Sequence, residues 1–444
     1  MGNAQLRVGL LGCGNVGGAL AQLLIGDGER IAARTGISLQ LASVAVMSPA
    51  RDRPFPVPER LLTADAHAVV ADPSIDVIVE VMGGIEPARA LILDALKAGK
   101  PVVTANKELL ASCGPELFEA AATAGVDLLF EASVAGGIPL IRPLRESLAG
   151  ERIRRVIGIV NGTTNYILTR MTEAGASYRD ALVEAQSLGY AERDPTADVE
   201  GFDAAAKAAI LANVAFGVRV VAGDVYREGI SHVTADDITM ARRLGFVIKL
   251  LAVVERAGNG EAAGDGEQPA EAVAVRVHPT MLPATHPLAS VRDSFNAVFV
   301  EGDAVGELMF LGRGAGGMPT ASAVLGDLLD AAHNLTAGGS GRTVALRQVP
   351  IRPIDDLVSA YYLTLQVADR PGVLHGVAGV LGRHRVSVRS MEQEVSGSAA
   401  SGAARLVFIT HPALERDLQA CLHDLRQLDA VERVGGVVRV IGDP

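Results

Sequence analysis

The chain has 444 residues, 49% of them hydrophobic, which is more than one core usually organises, so two or three modules are expected. Lysine and arginine total 40 against 51 aspartates and glutamates; the net charge of -11 disfavours nucleic-acid phosphates and anionic membranes and leaves small molecules or like subunits as partners. The three cysteines, Cys13, Cys113 and Cys421, lie far apart with no zinc or disulfide spacing, which fits a reducing cytosol.

Residues 8–25 are apolar, but glycines, Asn15 and Gln22 interrupt them and no basic segment precedes them, so they read as strand, turn and helix rather than as a leader. Residues 6–11 form the strand, and Leu20, Leu23 and Leu24 follow at helical spacing. Further strands are predicted at 41–46, 77–81, 101–104 and 126–131, with helices at 86–98 and 108–124. Such alternation predicts a parallel sheet with right-handed crossovers. Beyond about residue 139 the rhythm changes to a strand at 156–160 and helices at 178–187 and 202–216, the last rich in alanine, which marks a second domain. Residues 257–270 are rich in Gly, Glu and Ala and read as a solvated loop between an apolar run at 248–254 and a strand at 272–277. Gly, Ser, Arg and Pro become dense over 338–353, and 361–367 then opens a fresh module.

Gly12-Cys13-Gly14-Asn15-Val16-Gly17 follows a strand and opens a helix, the context a dinucleotide-binding turn needs. The first glycine permits the turn, the second lets a pyrophosphate approach the backbone, and the third allows close helix contact. No acidic residue closes the second strand at Val46-Met47-Ser48-Pro49; Arg51 and Arg53 follow instead, although Asp52 lies between them. That favours NADP over NAD, although the same arginines could simply decorate a surface loop. Lys107 follows the strand ending at Thr104, at the sheet edge where such folds bind ligands, and on spacing alone it also suits a solvated surface charge. Further on, Asp203 and Lys207 are four apart on one face of the alanine-rich helix, either an ordinary ion pair or the wall of a narrow cleft.

Taken together, the dinucleotide turn, VVTANK, EASVAGGIP, NGTTNYIL, LGYAERDP and GFDAAAK resemble the homoserine dehydrogenase family over residues 5 to about 335. The resemblance implies that Lys207 donates and accepts the proton at the substrate oxygen with Asp203 beside it, and that Glu192 and Asp198 bind substrate. It further implies cofactor contacts from Gly12, Gly14, Asn15, Val16, Gly17, Arg51, Lys107, Gly189 and Gly316. Glu131, Val134, Gly136 and Ile138 match the family's monovalent cation site, such as one for sodium, built largely from backbone carbonyls. Asp369-Arg370-Pro371-Gly372-Val373-Leu374 resembles the turn that opens an ACT domain, a module that binds amino acids.

The expected fold is therefore α/β, a Rossmann domain over 1–140 to which the chain returns around 316–350. An α+β catalytic and dimerisation domain over 141–315 and a ferredoxin-like ACT regulatory domain over 356–444 complete it. The resemblance also implies a cytoplasmic enzyme, monofunctional because no aspartokinase segment precedes residue 5, assembled as a homodimer or homotetramer and inhibited by threonine. Two rivals remain open: a catalytically silent amino-acid sensor, and a dehydrogenase for another semialdehyde. Lys107, Asp203 and Lys207 argue against the first. Against a thioester-forming dehydrogenase stands Cys113, which lies in a helical stretch with no histidine near it in sequence.

Overall fold

Short, largely apolar strands separated by helices fold into a parallel sheet because both of its faces must be covered. In the computed structural model, which describes residues 4–50, 53, 55–257, 271–341, 344–395 and 403–443, the chain starts with β1 (Ala4–Leu11), α1 (Asn15–Gly26) and α2 (Gly28–Thr35). Next come β2 (Ile37–Ala45), β3 (Leu62–Thr63), α3 (Ala66–Ala71), β4 (Val77–Glu80), α4 (Ala88–Lys97), β5 (Val102–Thr104), α5 (Lys107–Ala124) and β6 (Leu128–Leu129). These strands pair in parallel in the order β3-β2-β1-β4-β5-β6, so the order reverses between β1 and β4. A crevice beyond the carboxyl ends of the strands is the ligand position that such a reversal creates.

Among the boundaries that differ from the sequence expectation, two have a plain physical reason. β2 begins at Ile37, because Ile37, Leu39 and Leu41 all turn into the core at strand spacing. The strand expected over 126–131 shrinks to β6, since Glu131 opens a tight 3-10 turn and spends its carboxylate on the amides that start α6 (Ile141–Arg145).

The chain continues with β7 (Ile153–Ile159), α7 (Gly162–Ala174), α8 (Tyr178–Ser187), α9 (Thr196–Val199), α10 (Phe202–Phe216), β8 (Tyr226–Arg227) and α11 (Ala235–Arg243). β9 (Phe246–Ala257), β10 (Ala272–Pro283), β11 (Phe295–Gly302), β12 (Gly306–Arg313) and α12 (Gly317–Thr336) follow. Most of the expected loop at 257–270 lies outside the described residues. Last come β13 (Val358–Ala368), α13 (Val373–Arg383), β14 (Val388–Val395), β15 (Ala403–Thr410), β16 (Ala413–Leu414), α14 (Glu415–Leu425) and β17 (Val431–Val440).

Two compact units result. The first joins residues 1–160, 205–225 and 295–349. It holds the parallel sheet and an antiparallel ladder of β7, β11 and β12. Ala321, Val324 and Leu328 of α12 share one core with Leu10, Leu20, Val79 and Val103, so the late helix covers the first sheet. The second unit joins 161–204, 226–294 and 350–444. Here β13, β14, β15 and β17 form a sheet whose buried side packs on α13 and α14 through Leu363, Leu365, Val377, Phe408 and Leu418. The sheet does not stop at β17: Arg439 and Val440 pair in parallel with Thr280 and Met281 of β10. Among the described residues no helix is long and apolar enough to cross a membrane.

Candidate active site

Each glycine of the turn between β1 and α1 meets a separate steric demand. Gly12 has φ +97°, and a Cβ there would lie 2.8 Å from the Val81 carbonyl oxygen. A Cβ on Gly17 would come within 2.2 Å of the Gly12 oxygen, whereas one on Gly14 would meet nothing within 4 Å. Gly14 is also the N-cap of α1 and offers no side-chain acceptor, so the first amides of that helix face open space. A backbone cradle with free amides and the positive end of a helix dipole suits a pyrophosphate. Gly317, the first residue of α12, sits so close that a Cβ on it would be 2.9 Å from the Asn15 oxygen, which brings the Gly316 cap beside the same turn.

Past β2, Met47 is almost fully exposed, and the Arg53 guanidinium donates to the carbonyls of Ser48 (2.7 Å) and Pro49 (2.9 Å). Burial raises the Cys13 thiol pKa while Arg53 beside it pulls the other way, which places Arg53 next to the dinucleotide turn. Arg51 lies outside the described residues. At the ends of β4 and β5, Glu80 is buried and accepts from the amides of Met82 (2.8 Å) and Gly83 (3.3 Å) and from the Thr104 hydroxyl (2.7 Å). Asn106 caps α5 through Leu109 N–H, and Lys107 is that helix's exposed first residue.

In α10, Asp203 and Lys207 stand one turn apart and are only 9% and 8% exposed, so neither is a surface charge. Lys207 Nζ donates to the Val160 carbonyl at 2.5 Å. Within the second unit, the Asn161 amide donates both to Asp198 (2.7 Å) and to Asp203 (2.9 Å), while its oxygen caps α7 at Thr164 N–H. The single proton of the Thr163 hydroxyl is shared between the Tyr190 carbonyl at 2.6 Å and Asp198 at 3.1 Å. Two carboxylates from separate segments thus converge on one amide. The sequence reading singled out Asp198 and Asp203 but missed Asn161 and Thr163, although NGTTNYIL contains both. Glu192 is exposed, and Gly189 occupies a left-handed position (φ +76°) in the turn after α8. Asp194 is held by Thr196, whose side chain first and backbone N–H second lower its pKa.

Glu131, 3% exposed, accepts from the amides of Leu140, Ile141 and Arg142. Its side chain is therefore committed to α6, and a cation here would have to use backbone carbonyls. The following loop turns through left-handed Ala135 (φ +58°) and Gly136 (φ +52°), and a Cβ on Gly136 would be 2.3 Å from the Gly314 oxygen. Elsewhere, in the second unit, a cavity of about 550 Å³ opens beside the β17 edge, lined by Asp237, Tyr362, Thr364, Arg433 and Gly436 among others.

A 3-2-1-4-5-6 sheet with a glycine cradle at the helix start, in a chain that also buries a lysine on a helix, one turn after a buried aspartate, defines a nicotinamide-dinucleotide-dependent dehydrogenase. The profile for the homoserine dehydrogenase NAD-binding domain matches residues 12–131, the homoserine dehydrogenase profile matches 139–329, and the ACT-domain profile matches 361–430. The chain belongs to the homoserine dehydrogenase family. It is 49% identical to the homoserine dehydrogenase of Mycobacterium tuberculosis (98% of this chain, 97% of the relative) and 48% identical to that of Corynebacterium glutamicum (99% and 96%). Its fold matches a homoserine dehydrogenase from Thiobacillus denitrificans with a TM-score of 0.89 at 41% identity, over 99% of this chain and 98% of that one. A hyperthermophilic archaeal homoserine dehydrogenase in complex with NADPH matches with a TM-score of 0.60 at 29% identity, over 77% and 99%.

Proposed function

We propose that this enzyme interconverts L-aspartate 4-semialdehyde and L-homoserine with NADP as the preferred cofactor and NAD as the alternative, in threonine, methionine and isoleucine biosynthesis. The observation that carries the reading is the nearly buried Lys207 on the helix that also bears Asp203. A dinucleotide in the cradle supplies the hydride. Every other task falls to side chains of the protein. Lys207 delivers a proton to the substrate oxygen as charge develops there, or removes it in the reverse direction. Asp203, held by Asn161, stands one helical turn before Lys207 as its acidic companion in the site. Asp198 and Glu192 bind the substrate's ammonium. The archaeal relative's NADPH, the lack of an acidic residue right at the end of β2 and the position of Arg53 support the cofactor preference. Lys107, Gly189 and Gly316 complete the cofactor's surroundings, and backbone carbonyls of Glu131, Val134, Gly136 and Ile138 hold a monovalent cation such as sodium in a structural role.

The catalytic domain spans 141–315 and the ACT regulatory domain 356–444. Threonine inhibits through the latter, with the turn at 369–374 as its contact, in a cytoplasmic homodimer or homotetramer. Purified protein should reduce NADP faster than NAD with homoserine, and neither with lactate or malate. Lys207→Ala should keep cofactor affinity while turnover falls roughly 10²- to 10⁴-fold, the usual range for a lost general acid; turnover like that of the wild type refutes the assignment. Millimolar threonine should inhibit the full chain, and Gly372→Val should weaken inhibition without lowering the melting temperature enough to explain it. No response to threonine rejects the regulatory reading and leaves the catalytic one standing.

A further inference from the structure

We infer that Glu80 is a positioning residue whose buried charge makes the site hold the oxidised, cationic nicotinamide dinucleotide more tightly, relative to the reduced one, than the same site would with a neutral side chain there. Glu80 closes β4, is 0% exposed, and lies beside the point where the strand order reverses, on the side of the sheet ends that the nicotinamide half of a dinucleotide takes in this fold. Both of its oxygens accept. Oε1 takes the amides of Met82 and Gly83, with the Asn106 side-chain amide at 3.5 Å. Oε2 takes the Thr104 hydroxyl at 2.7 Å, and the oxygen of that hydroxyl in turn accepts from Asn106 N–H at 3.0 Å. Four N–H and O–H donors thus converge on the carboxyl group, a setting that suits a negative charge.

The same carboxylate ties two loops together. Residues 82–84 hang from it, with Gly83 and Gly84 both at positive φ, and Asn106 closes the loop by donating to the Gly84 carbonyl at 2.7 Å while capping the helix that begins with Lys107. The donors to Glu80 in these bonds are neutral amides and a hydroxyl, so its charge is solvated by dipoles and is not cancelled by a partner cation. Such a charge in a water-poor site acts over several ångströms and discriminates between two ligands that differ by one positive charge. The inference rests on the dinucleotide-binding role of this domain.

Fluorescence titration with reduced cofactor, and its displacement by oxidised cofactor, gives both dissociation constants. Glu80→Gln should shift their ratio against the oxidised form by roughly five- to tenfold, the scale of one partly screened charge. Glu80→Asp, which keeps the charge and disturbs the loops, should weaken both forms by similar factors. If Glu80→Gln weakens both equally, Glu80 only shapes the loops and the inference falls. Should Glu80→Gln fail to fold, Asn106→Asp keeps an α5 cap acceptor and adds a charge at the same place, so it must move the ratio the other way; an unmoved ratio overturns the proposal. If the wild type binds neither form, the dinucleotide reading itself fails.

Discussion

Asn161 offers the sharpest test of the acidic cluster, because one small amide serves three segments. Its oxygen caps α7, and its nitrogen donates to Asp198 and Asp203, which lie 37 and 42 positions further along the chain. Each hydrogen bond to a charged acceptor is worth about 1.5–3 kcal/mol, so the two together represent about 3–6 kcal/mol of alignment. Asp198 keeps Thr163, so part of that is retained after substitution. A loss of about 2–4 kcal/mol in transition-state binding remains, which is roughly 30- to 1000-fold in kcat/KM. Asn161→Asp is the informative variant: it preserves the cap acceptor but turns the shared donor into an acceptor facing two carboxylates. It should lose more activity than Asn161→Ala and also melt lower than the wild type, because three carboxylates then crowd one buried place, whereas in Asn161→Ala the missing cap alone adds about 1 kcal/mol of instability. Steady-state kinetics with homoserine, read beside thermal melts, decides it. If Asn161→Asp keeps wild-type kcat/KM, the convergence of Asp198 and Asp203 has no part in catalysis.

Lys249 of β9 is 3% exposed, donates to Asn165 and to the Val291 carbonyl, and is pushed by burial from 10.5 down to about 8. The folded chain thus binds fewer protons than the unfolded one between these values, so this group's contribution to stability improves as pH rises through the window. Melting temperatures of the wild type should gain on those of Lys249→Met from about pH 8 to 10, and a constant difference refutes the sign. Arg439, 5% exposed, pairs at 2.8 Å with both Glu228 and Glu415. Arg439→Met strands two carboxylates and should cost about 3–5 kcal/mol in chemical denaturation; a cost below about 1 kcal/mol shows that the triad is not structural. Replacing Arg51 and Arg53 by alanine should raise KM for NADP far more than KM for NAD, and an equal rise, or a wild-type preference for NAD, removes the NADP assignment.

Local pattern sufficed wherever the determinant is a short-range steric or periodic rule. The glycine turn, the helices at Tyr178–Ser187 and Phe202–Phe216, and the strand and helix order of the C-terminal module are all readable, because burial on one face imposes a period of two or 3.6 on contiguous residues. α7 escaped that rule. Its buried face includes Thr163, Thr164, Asn165 and Thr169, polar residues satisfied by partners that no period reveals, so the pattern assigns it no element. The same limit hid Asn161 behind the more conspicuous acids, and it hid the role of Glu80, whose partners Thr104 and Asn106 stand 24 and 26 positions away.

The sequence also reads residues 356–444 as a module of their own, since the polar, glycine-rich stretch before them resembles a linker. Only the tertiary structure decides that β17 continues into β10, with Gly436 left bare because a Cβ would lie 2.1 Å from the Asp237 carboxylate. Strand pairing over more than 150 positions leaves no periodic trace, because the backbone groups that make it are the same at every residue. The sequence by itself therefore determined the cofactor turn, the lysine on its alanine-rich helix and the order of elements, all products of nearest-neighbour sterics and burial. Which distant carboxylates share one amide, and which strand closes which edge, depended on contacts that form only once the chain has folded.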